Sequence, residues 1–120
     1  MADASFLFVT IDAVDAAKAA SFWSSVLGTE FDAEFDEGRF IFLKGRDDLP
    51  VVCIQRVPEP KRGKTRVHLD LGVNDLEAAT RRVIELGGSW DGEERQLEPF
   101  TWRTLSDPED TEFDVALVEG

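Results

Sequence analysis

Hydrophobic and polar residues alternate regularly from Val67 to Val73, and a helical pattern follows directly. The apolar positions are Val67, Leu69, Leu71 and Val73, and the positions between them are His68, Asp70 and Gly72. A period of two predicts a strand with one buried face, so we expect His68 and Asp70 to point together, away from the core. A helix is predicted next, with Asp75 as its N-cap and Gly87-Gly88 at its end.

The same pattern occurs sixty positions earlier in the chain. Val9 matches Leu69, and Asp15 matches Asp75. We interpret this as an internal repeat of one unit, present in two copies, each with the order β-α-β-β-β. The first copy is predicted to have strands at 6–11, 29–36, 39–44 and 51–57 with a helix at 15–27; the second has strands at 67–73, 89–97, 100–105 and 112–118 with a helix at 76–86.

Two stretches of opposite charge stand out between these elements. In the strand predicted at 29–36, Phe31, Ala33 and Phe35 alternate with acidic residues, which predicts a half-buried strand with a solvated acidic face. Between Arg56 and Arg66 lie five of the chain's thirteen basic residues. We interpret this basic stretch as a solvated connector between the copies or as a contact for another chain's acidic surface.

The charge balance narrows the class of partner. The chain has 120 residues and a formal net charge of −12, which argues against a protein that binds nucleic acid through its phosphate backbone. It contains no apolar run of membrane-spanning length and no pattern of a signal peptide, so we expect no membrane partner and a cytoplasmic location. The single cysteine, Cys53, agrees with a reducing compartment.

Several short motifs resemble those of a known superfamily. They are the FW pair at Phe22-Trp23 followed by VLG, the stretch VHLDLGVNDL and the turn DPEDTEF. Together with the order of elements, they resemble the vicinal oxygen chelate superfamily, and most closely its glyoxalase-like and bleomycin-resistance-like proteins. The resemblance implies an α+β fold in which two βαβββ modules in tandem form cup-shaped mixed sheets, the glyoxalase/bleomycin resistance/dioxygenase fold. It implies one domain over 1–120, with modules at about 5–57 and 66–118 and a linker at 58–65, and a homodimer.

The resemblance also implies a position for a divalent metal. Metal-dependent members use a first-strand histidine and a last-strand glutamate from each module. The matching positions here are His68 and Asp114 in the second module, and Phe8 and Gln55 in the first. Because phenylalanine cannot bind a metal and a glutamine amide is a weak ligand, we expect no cofactor. If a divalent metal does bind, its ligands are expected to be His68, Asp114 and Gln55.

The alternation of the strands and the resemblance together predict a ligand-binding cavity. We expect it to be lined by Phe8, Phe42, Cys53 and Trp102 and edged by Gln55, His68, Asp70 and Asp114. The first hypothesis is the binding of a small planar or cationic organic molecule. The second is a lyase, isomerase or dioxygenase-type enzyme with a reduced metal site around His68, which is the best catalytic candidate. The third is an interaction module with a vestigial cavity.

Overall fold

A computed structural model describes residues 6–118, and the chain divides into two compact units. Unit 1 ends at Pro60 and unit 2 begins at Lys61, inside the predicted linker. Within residues 6–118, each unit contains one helix and one mixed sheet, which confirms the α+β fold with two βαβββ-like modules. None of the helices in residues 6–118 is long and apolar enough to span a membrane.

Unit 1 places its four strands in the order β1-β4-β3-β2. Its elements are β1 (Val9–Ala13), α1 (Ala16–Leu27), β2 (Phe31–Phe35), β3 (Phe40–Leu43) and β4 (Val52–Arg56). β1 is parallel to β4, and the other neighbours are antiparallel. β1 begins at Val9 rather than at Phe6, because its pairing with β4 starts where Val9 lies beside Val52.

Helix α1 forms where the sequence predicts it and covers one face of this sheet. The Asp15 side chain caps it by accepting a hydrogen bond from Lys18 N–H at 3.1 Å, and Gly28 ends it at φ 66°. Phe22 and Trp23 are buried, as expected, with Trp23 fully inaccessible to solvent. Their burial beside Ile41 and Ile54 forms the core of unit 1.

Unit 2 repeats the arrangement with one strand divided in two. Its elements are β5 (Asp70–Val73), α2 (Leu76–Glu85), β6 (Ser89–Trp90), β7 (Arg95–Leu97), β8 (Phe100–Ser106) and β9 (Glu112–Leu117). The sheet order is β5-β9-β8-β6, and β7 also pairs with β8. The strand predicted at 89–97 is therefore interrupted by a turn at 91–94. β5 begins at Asp70, so His68 lies just before the strand rather than within it.

Helix α2 is capped as predicted at its start and lies close to its sheet at its end. The Asp75 side chain accepts from Ala78 N–H at 3.0 Å, and Leu76 and Val83 are buried. After the helix, Gly88 passes so near to β8 that a β-carbon there would lie 2.5 Å from the carbonyl oxygen of Ser106. Only glycine fits this approach without a shift of the backbone.

Three apolar side chains that the alternation predicts to be buried are largely exposed. They are Phe31 at 55%, Phe35 at 59% and Leu117 at 47%. For β2 the prediction of half-burial was wrong, because the strand is the edge of its sheet and a bulge shifts its register between Phe31 and Ala33. Phe31 therefore lies opposite Leu43, whereas Phe35 lies opposite Phe40.

A buried arginine joins helix α2 to its sheet, and no pattern in the sequence predicts it. The Arg103 side chain is 9% exposed and lies on the helix side of β8. Its guanidinium donates to Thr80 Oγ1 at 2.9 Å, to Glu77 Oε2 at 3.0 Å and to Glu94 Oε1 at 3.1 Å. The guanidinium carbon also lies 4.2 Å from the centre of the Trp90 ring. Burial alone would lower the pKa of Arg103, but the two glutamates outweigh it and raise the pKa.

Candidate functional site

Three potential metal ligands lie together on the sheet face of unit 2 that points away from α2. They are His68, Asp70 and Asp114, and one ligand atom from each lies within 4.8 Å of the others. His68 Nδ1 is 3.3 Å from Asp70 Oδ2 and 3.8 Å from Asp114 Oδ2. The structure thus brings together the three polar residues that strand alternation predicts on one face.

Strand pairing explains why these side chains meet. Asp70 in β5 lies directly beside Asp114 in the parallel strand β9, so both carboxylates project from the same face. The pairing continues before β5, where Asp114 N–H donates to the carbonyl of Leu69 at 2.9 Å. This bond holds Leu69, the residue after His68, against β9. The His68 imidazole therefore lies close to the two carboxylates.

Thr104 orients the more buried of the two carboxylates. It lies opposite Asp114 in the antiparallel strand β8, and its hydroxyl donates to Asp114 Oδ1 at 2.7 Å. The other oxygen, Oδ2, is the one nearest His68. The Asp114 side chain is only 13% exposed, whereas Asp70 is 60% exposed. Thr104 therefore fixes one oxygen of Asp114, while the other oxygen faces His68.

The two carboxyl groups are close enough to affect each other's charge. Partial burial raises the pKa of Asp70, and a hydrogen bond with the Asp114 carboxyl raises it further, while the His68 charge opposes both effects. Two neighbouring carboxylates repel each other when both are charged, and a cation bound between them would relieve that repulsion. The site is therefore electrostatically prepared for a positive charge.

The donor set fits a divalent transition metal. One imidazole nitrogen and carboxylate oxygens suit Zn²⁺, Fe²⁺ and Mn²⁺, and catalytic sites commonly use three protein ligands. The Thr104 bond to Asp114 is the kind of outer contact that orients a ligating carboxylate. The group contains two of the three expected ligands, His68 and Asp114, and adds Asp70, which the sequence placed at the edge of the cavity rather than among the metal ligands.

Trp102 lies on the same face of unit 2. It is opposite Ala116 in β9, two positions from Thr104 along β8, and it is partly buried. Arg95 in β7 lies opposite it and donates to Asp91 at 3.0 Å and to Glu93 at 3.4 Å. An indole thus adjoins the His68, Asp70 and Asp114 group on one sheet surface.

Unit 1 has a different surface on the equivalent face, and it is aromatic. The Phe42 ring is in contact with Phe8 at 5.0 Å and with Phe35 at 5.8 Å, measured between ring centres. Both neighbours stand nearly perpendicular to Phe42, at 85° and 83°. Phe8 is 41% exposed and Phe42 is partly exposed. We call Phe8, Phe42 and Phe35 the aromatic row.

Polar groups lie beside the aromatic row. Gln55 in β4 has Asp12 of β1 on one side and Phe40 of β3 on the other, and Asp12 is exposed. Cys53 lies between Thr10 and Phe42 but is only 1% exposed. Burial raises the pKa of the Cys53 thiol, a hydrogen bond with Thr10 lowers it and the Asp12 charge raises it. Cys53 is therefore buried beneath this face of the sheet, and the accessible polar groups of the face are Gln55 and Asp12.

The sequence-based list of site residues lacked three members of these two faces. Phe35 and Asp12 belong with the aromatic row, and Thr104 belongs with Asp114. Asp12 and Thr104 could have been found from the period of two, because Asp12 follows Thr10 along β1, which Phe8 precedes, and Thr104 follows Trp102 along β8. The bond from Thr104 to Asp114 depends on the register between two strands, which periodicity does not give.

Comparison with a family model gives a match over most of the chain. The model is described as a glyoxalase-like domain and matches residues 8–116. Both sheet faces and both helices lie within this range. No curated protein sequence matches the chain.

Solved structures with the same fold cover nearly the whole chain at low sequence identity. A glyoxalase/bleomycin resistance protein/dioxygenase family enzyme from Burkholderia phytofirmans has a TM-score of 0.77 at 15% identity, covering 94% of this chain and 98% of its own. The fosfomycin resistance protein FosX from Listeria monocytogenes has a TM-score of 0.74 at 15% identity, covering 97% and 94%. A lactoylglutathione lyase from Agrobacterium tumefaciens has a TM-score of 0.68 at 16% identity, covering 97% and 95%. At these identities the likeness shows the fold alone.

Proposed function

The chain belongs to the glyoxalase-like domain family, and from this premise we propose that it binds a small, planar organic cation on the aromatic face of unit 1. The observation that carries the proposal is the aromatic row, in which the Phe42 ring contacts the rings of Phe8 and Phe35 and all three side chains are at least partly exposed. A soluble protein buries such rings unless the surface has a use. The nearby carboxylate of Asp12 supplies the negative charge that a cation requires.

Ring faces attract cations through their quadrupole, and this sheet face already contains one example. The guanidinium carbon of Arg39 lies 5.3 Å from the centre of the Phe40 ring, beside Gln55. A bound cation would gain the same attraction from Phe8 or Phe42. The net charge of −12 would also raise the local concentration of cations around the protein. A flat ligand suits rings that meet edge to face, because it can lie against one ring and touch the edge of the next.

The proposal is tested with 9-aminoacridine, a planar fluorescent cation, followed by fluorescence anisotropy. Phe42→Leu keeps an apolar side chain of similar size but removes the ring. We expect it to weaken binding about tenfold, since the loss of one cation and ring contact of about 1.4 kcal/mol changes the affinity by that factor. Ile84→Leu is the matched control, because Ile84 is an exposed apolar residue on helix α2.

Two further probes separate shape from charge. Cyclohexylammonium is a cation without a plane, and naphthalene-2-sulfonate is planar without a positive charge. We expect both to bind more weakly than 9-aminoacridine. Equal binding of 9-aminoacridine to wild type and Phe42→Leu would show that the acridine associates only with the acidic surface in general, and it would overturn the proposal.

A second candidate function rests on the group in unit 2. His68, Asp70 and Asp114 would hold a divalent metal, which when bound would act as a Lewis acid on a substrate oxygen, in a lyase, isomerase or dioxygenase-type reaction. Thr104 would keep Asp114 in position, and Trp102 would give an apolar contact for the substrate. His68 and Asp70 would alternatively exchange protons with a substrate directly.

The metal hypothesis is tested by adding Mn²⁺ to metal-free protein and measuring free Mn²⁺ by electron paramagnetic resonance. One bound ion per chain, lost in Asp114→Asn but retained in Asp110→Asn, would support it. Asp110 is a suitable control because it is exposed and its φ of 64° suits asparagine. Retention of Mn²⁺ by Asp114→Asn would contradict the assignment. If neither 9-aminoacridine nor Mn²⁺ binds, the interaction module is the remaining hypothesis.

A further inference from the structure

Arg95 lies on the same face of the unit 2 sheet as His68, Asp70 and Asp114, which we call the polar cluster. It is in β7, opposite Trp102 of β8, so its side chain leaves the sheet beside the indole. Asp114 lies two residues along β9 from the position opposite Trp102. The row of the sheet that contains Arg95 is therefore about 7 Å along the strands from the polar cluster.

One nitrogen of the Arg95 guanidinium lacks a hydrogen-bond partner. Its Nη2 donates to Asp91 Oδ2 at 3.0 Å and to Glu93 Oε2 at 3.4 Å. In contrast, Nη1 is shielded from solvent and has no acceptor among the residues that the structure describes. Buried donors nearly always have an acceptor, so we expect the acceptor for Nη1 to come from a molecule bound on this face.

The charges around Arg95 favour an uncharged acceptor over an anion. The hydrogen bond with Asp91 raises the pKa of Arg95 most, burial opposes it, and the charges of Asp91, Glu93 and Asp114 raise it further. The guanidinium is thus charged, but its charge is already matched by these carboxylates. An anion at Nη1 would be repelled by the same carboxylates, whereas a carbonyl oxygen would accept the hydrogen bond without that repulsion.

The row of the sheet that contains Arg95 favours a flat ligand. It continues from Trp102 to Ala116 in β9 and Gly72 in β5. Ala116 and Gly72 have small or absent side chains, so a molecule can approach the sheet closely beside the indole. Val118 leans over Gly72, because a β-carbon there would lie 3.0 Å from Val118 Cγ1. An apolar ring would therefore meet an indole on one side and a valine on the other.

We propose that the unit 2 site takes a flat, uncharged carbonyl compound, whose oxygen accepts a hydrogen bond from Arg95 Nη1 and whose ring packs against Trp102. The inference rests on the second candidate function, in which unit 2 holds the substrate. The part of the compound beyond the ring reaches the polar cluster. Because Nη1 is covered, the atoms over it shift when the carbonyl enters. Arg95 is then a specificity-determining residue, which selects a carbonyl over a hydrocarbon or a carboxylate of the same shape.

Three small aromatic compounds of similar shape test this selection, with affinity and location measured by ¹⁵N nuclear magnetic resonance titration. Acetophenone has a carbonyl, ethylbenzene has a methylene group in its place, and benzoate has a carboxylate. We expect acetophenone to bind at least about fivefold more tightly than the other two, since a hydrogen bond from a charged donor changes affinity by at least that factor. The amides of Thr104 and Ala116 in unit 2 should shift most.

Arg95→Lys isolates the donor, because a lysine can still pair with Asp91 and Glu93 but lacks the second nitrogen of the guanidinium fork. It should weaken acetophenone about fivefold and leave ethylbenzene unchanged. Trp102→Leu should weaken both compounds. Arg81→Lys is the matched control, because Arg81 is an exposed arginine on helix α2, and it should change neither affinity.

Equal binding of acetophenone and ethylbenzene to wild type would overturn the proposal, because water would then serve Nη1 equally well. An Arg95→Lys variant that binds acetophenone as wild type does, or shifts confined to unit 1, would overturn it too. The Mn²⁺ titration separates this inference from the metal hypothesis, since Arg95→Lys should bind Mn²⁺ as wild type does. Mn²⁺ binding without selection of acetophenone would show that this inference fails while the metal hypothesis stands, and selection without Mn²⁺ binding would show the reverse.

Discussion

Replacing Arg103 measures how much its contacts between helix α2 and the sheet of unit 2 contribute to stability. The guanidinium is nearly buried, donates to Thr80, Glu77 and Glu94, and lies over the ring of Trp90. Arg103→Met keeps an apolar stem of similar length but removes all of these contacts. Two opposing effects decide the result: the loss of the hydrogen bonds and the removal of the cost of burying the guanidinium.

The exposure of the two glutamates decides the size of the effect. Hydrogen bonds between charged groups contribute about 1.5–3 kcal/mol each, so the lost contacts sum to several kcal/mol before any offset. The Glu77 side chain is 69% exposed and that of Glu94 is 38% exposed, so both carboxylates regain water in the variant. The cost of burying the guanidinium, also several kcal/mol, is no longer incurred. We therefore expect a net loss of about 1–2 kcal/mol in the free energy of unfolding.

Arg103→Ala should cost more than Arg103→Met. It also removes apolar stem atoms beside Trp90 and leaves a space, which adds about 2 kcal/mol at about 0.8 kcal/mol per buried methylene group. Urea unfolding followed by circular dichroism measures both variants. Arg81→Met is the control, because Arg81 is an exposed arginine on helix α2, the helix that Arg103 contacts. We expect it to change the free energy of unfolding by no more than about 0.5 kcal/mol.

The outcome for Arg103→Met has two bounds. A variant as stable as wild type or more stable would show that desolvation outweighs the three hydrogen bonds. A loss above about 4 kcal/mol would show that Glu77 and Glu94 remain dehydrated and unpaired, as in a fully buried ion pair. Either result would show that the exposure of Glu77 and Glu94 does not set the cost of losing Arg103.

Three further predictions concern other parts of the fold. Lys61 holds the pKa of Glu112 below its usual value, so their ion pair stabilises the fold above the unfolded pKa of about 4.3, and this stabilisation is lost as the pH falls through the folded pKa. Glu112→Gln should therefore make the urea midpoint depend less steeply on pH in that range. An unchanged slope would argue against this role of the ion pair. Gly88→Ala places a β-carbon 2.5 Å from a backbone oxygen and should cost about 2 kcal/mol or more in urea unfolding, whereas a neutral effect would show that the backbone adapts. Cys53 is buried with a raised pKa, so its reaction with a disulfide reagent at pH 8 should be at least about a hundredfold slower in native than in unfolded protein; equal rates would contradict its burial.

The elements that the sequence predicted well are those specified by neighbouring residues. Asp15 and Asp75 cap their helices through bonds to backbone N–H groups three residues ahead, and Gly28 ends α1 in the left-handed conformation. Each of these signals is local, so periodicity and capping chemistry are sufficient. The same period of two placed His68 and Asp70 on one face with Asp114, and the structure brings their ligand atoms within 4.8 Å.

The features that the sequence did not predict depend on contacts between distant segments. The bulge in β2 moves Phe31 out of register with Ala33, so simple alternation gives the wrong face. Arg103 occupies an inward position of β8 that alternation assigns to an apolar residue. Its charge is tolerated there because Glu77 on α2 and Glu94 just before β7 both accept hydrogen bonds from it. The fold was predictable at the level of elements, whereas the site geometry required the register between strands.

Nuclear magnetic resonance of ¹⁵N-labelled protein during addition of 9-aminoacridine locates the bound cation residue by residue. If the cation binds the aromatic row, the largest shifts should occur at the backbone amides of Thr10, Phe42 and Cys53, which lie in adjacent strands beneath the row. The shifts should saturate at one cation per chain. Shifts that are confined to unit 2, or that rise without saturation across the acidic surface, would contradict the claim that the aromatic row is the ligand-binding face.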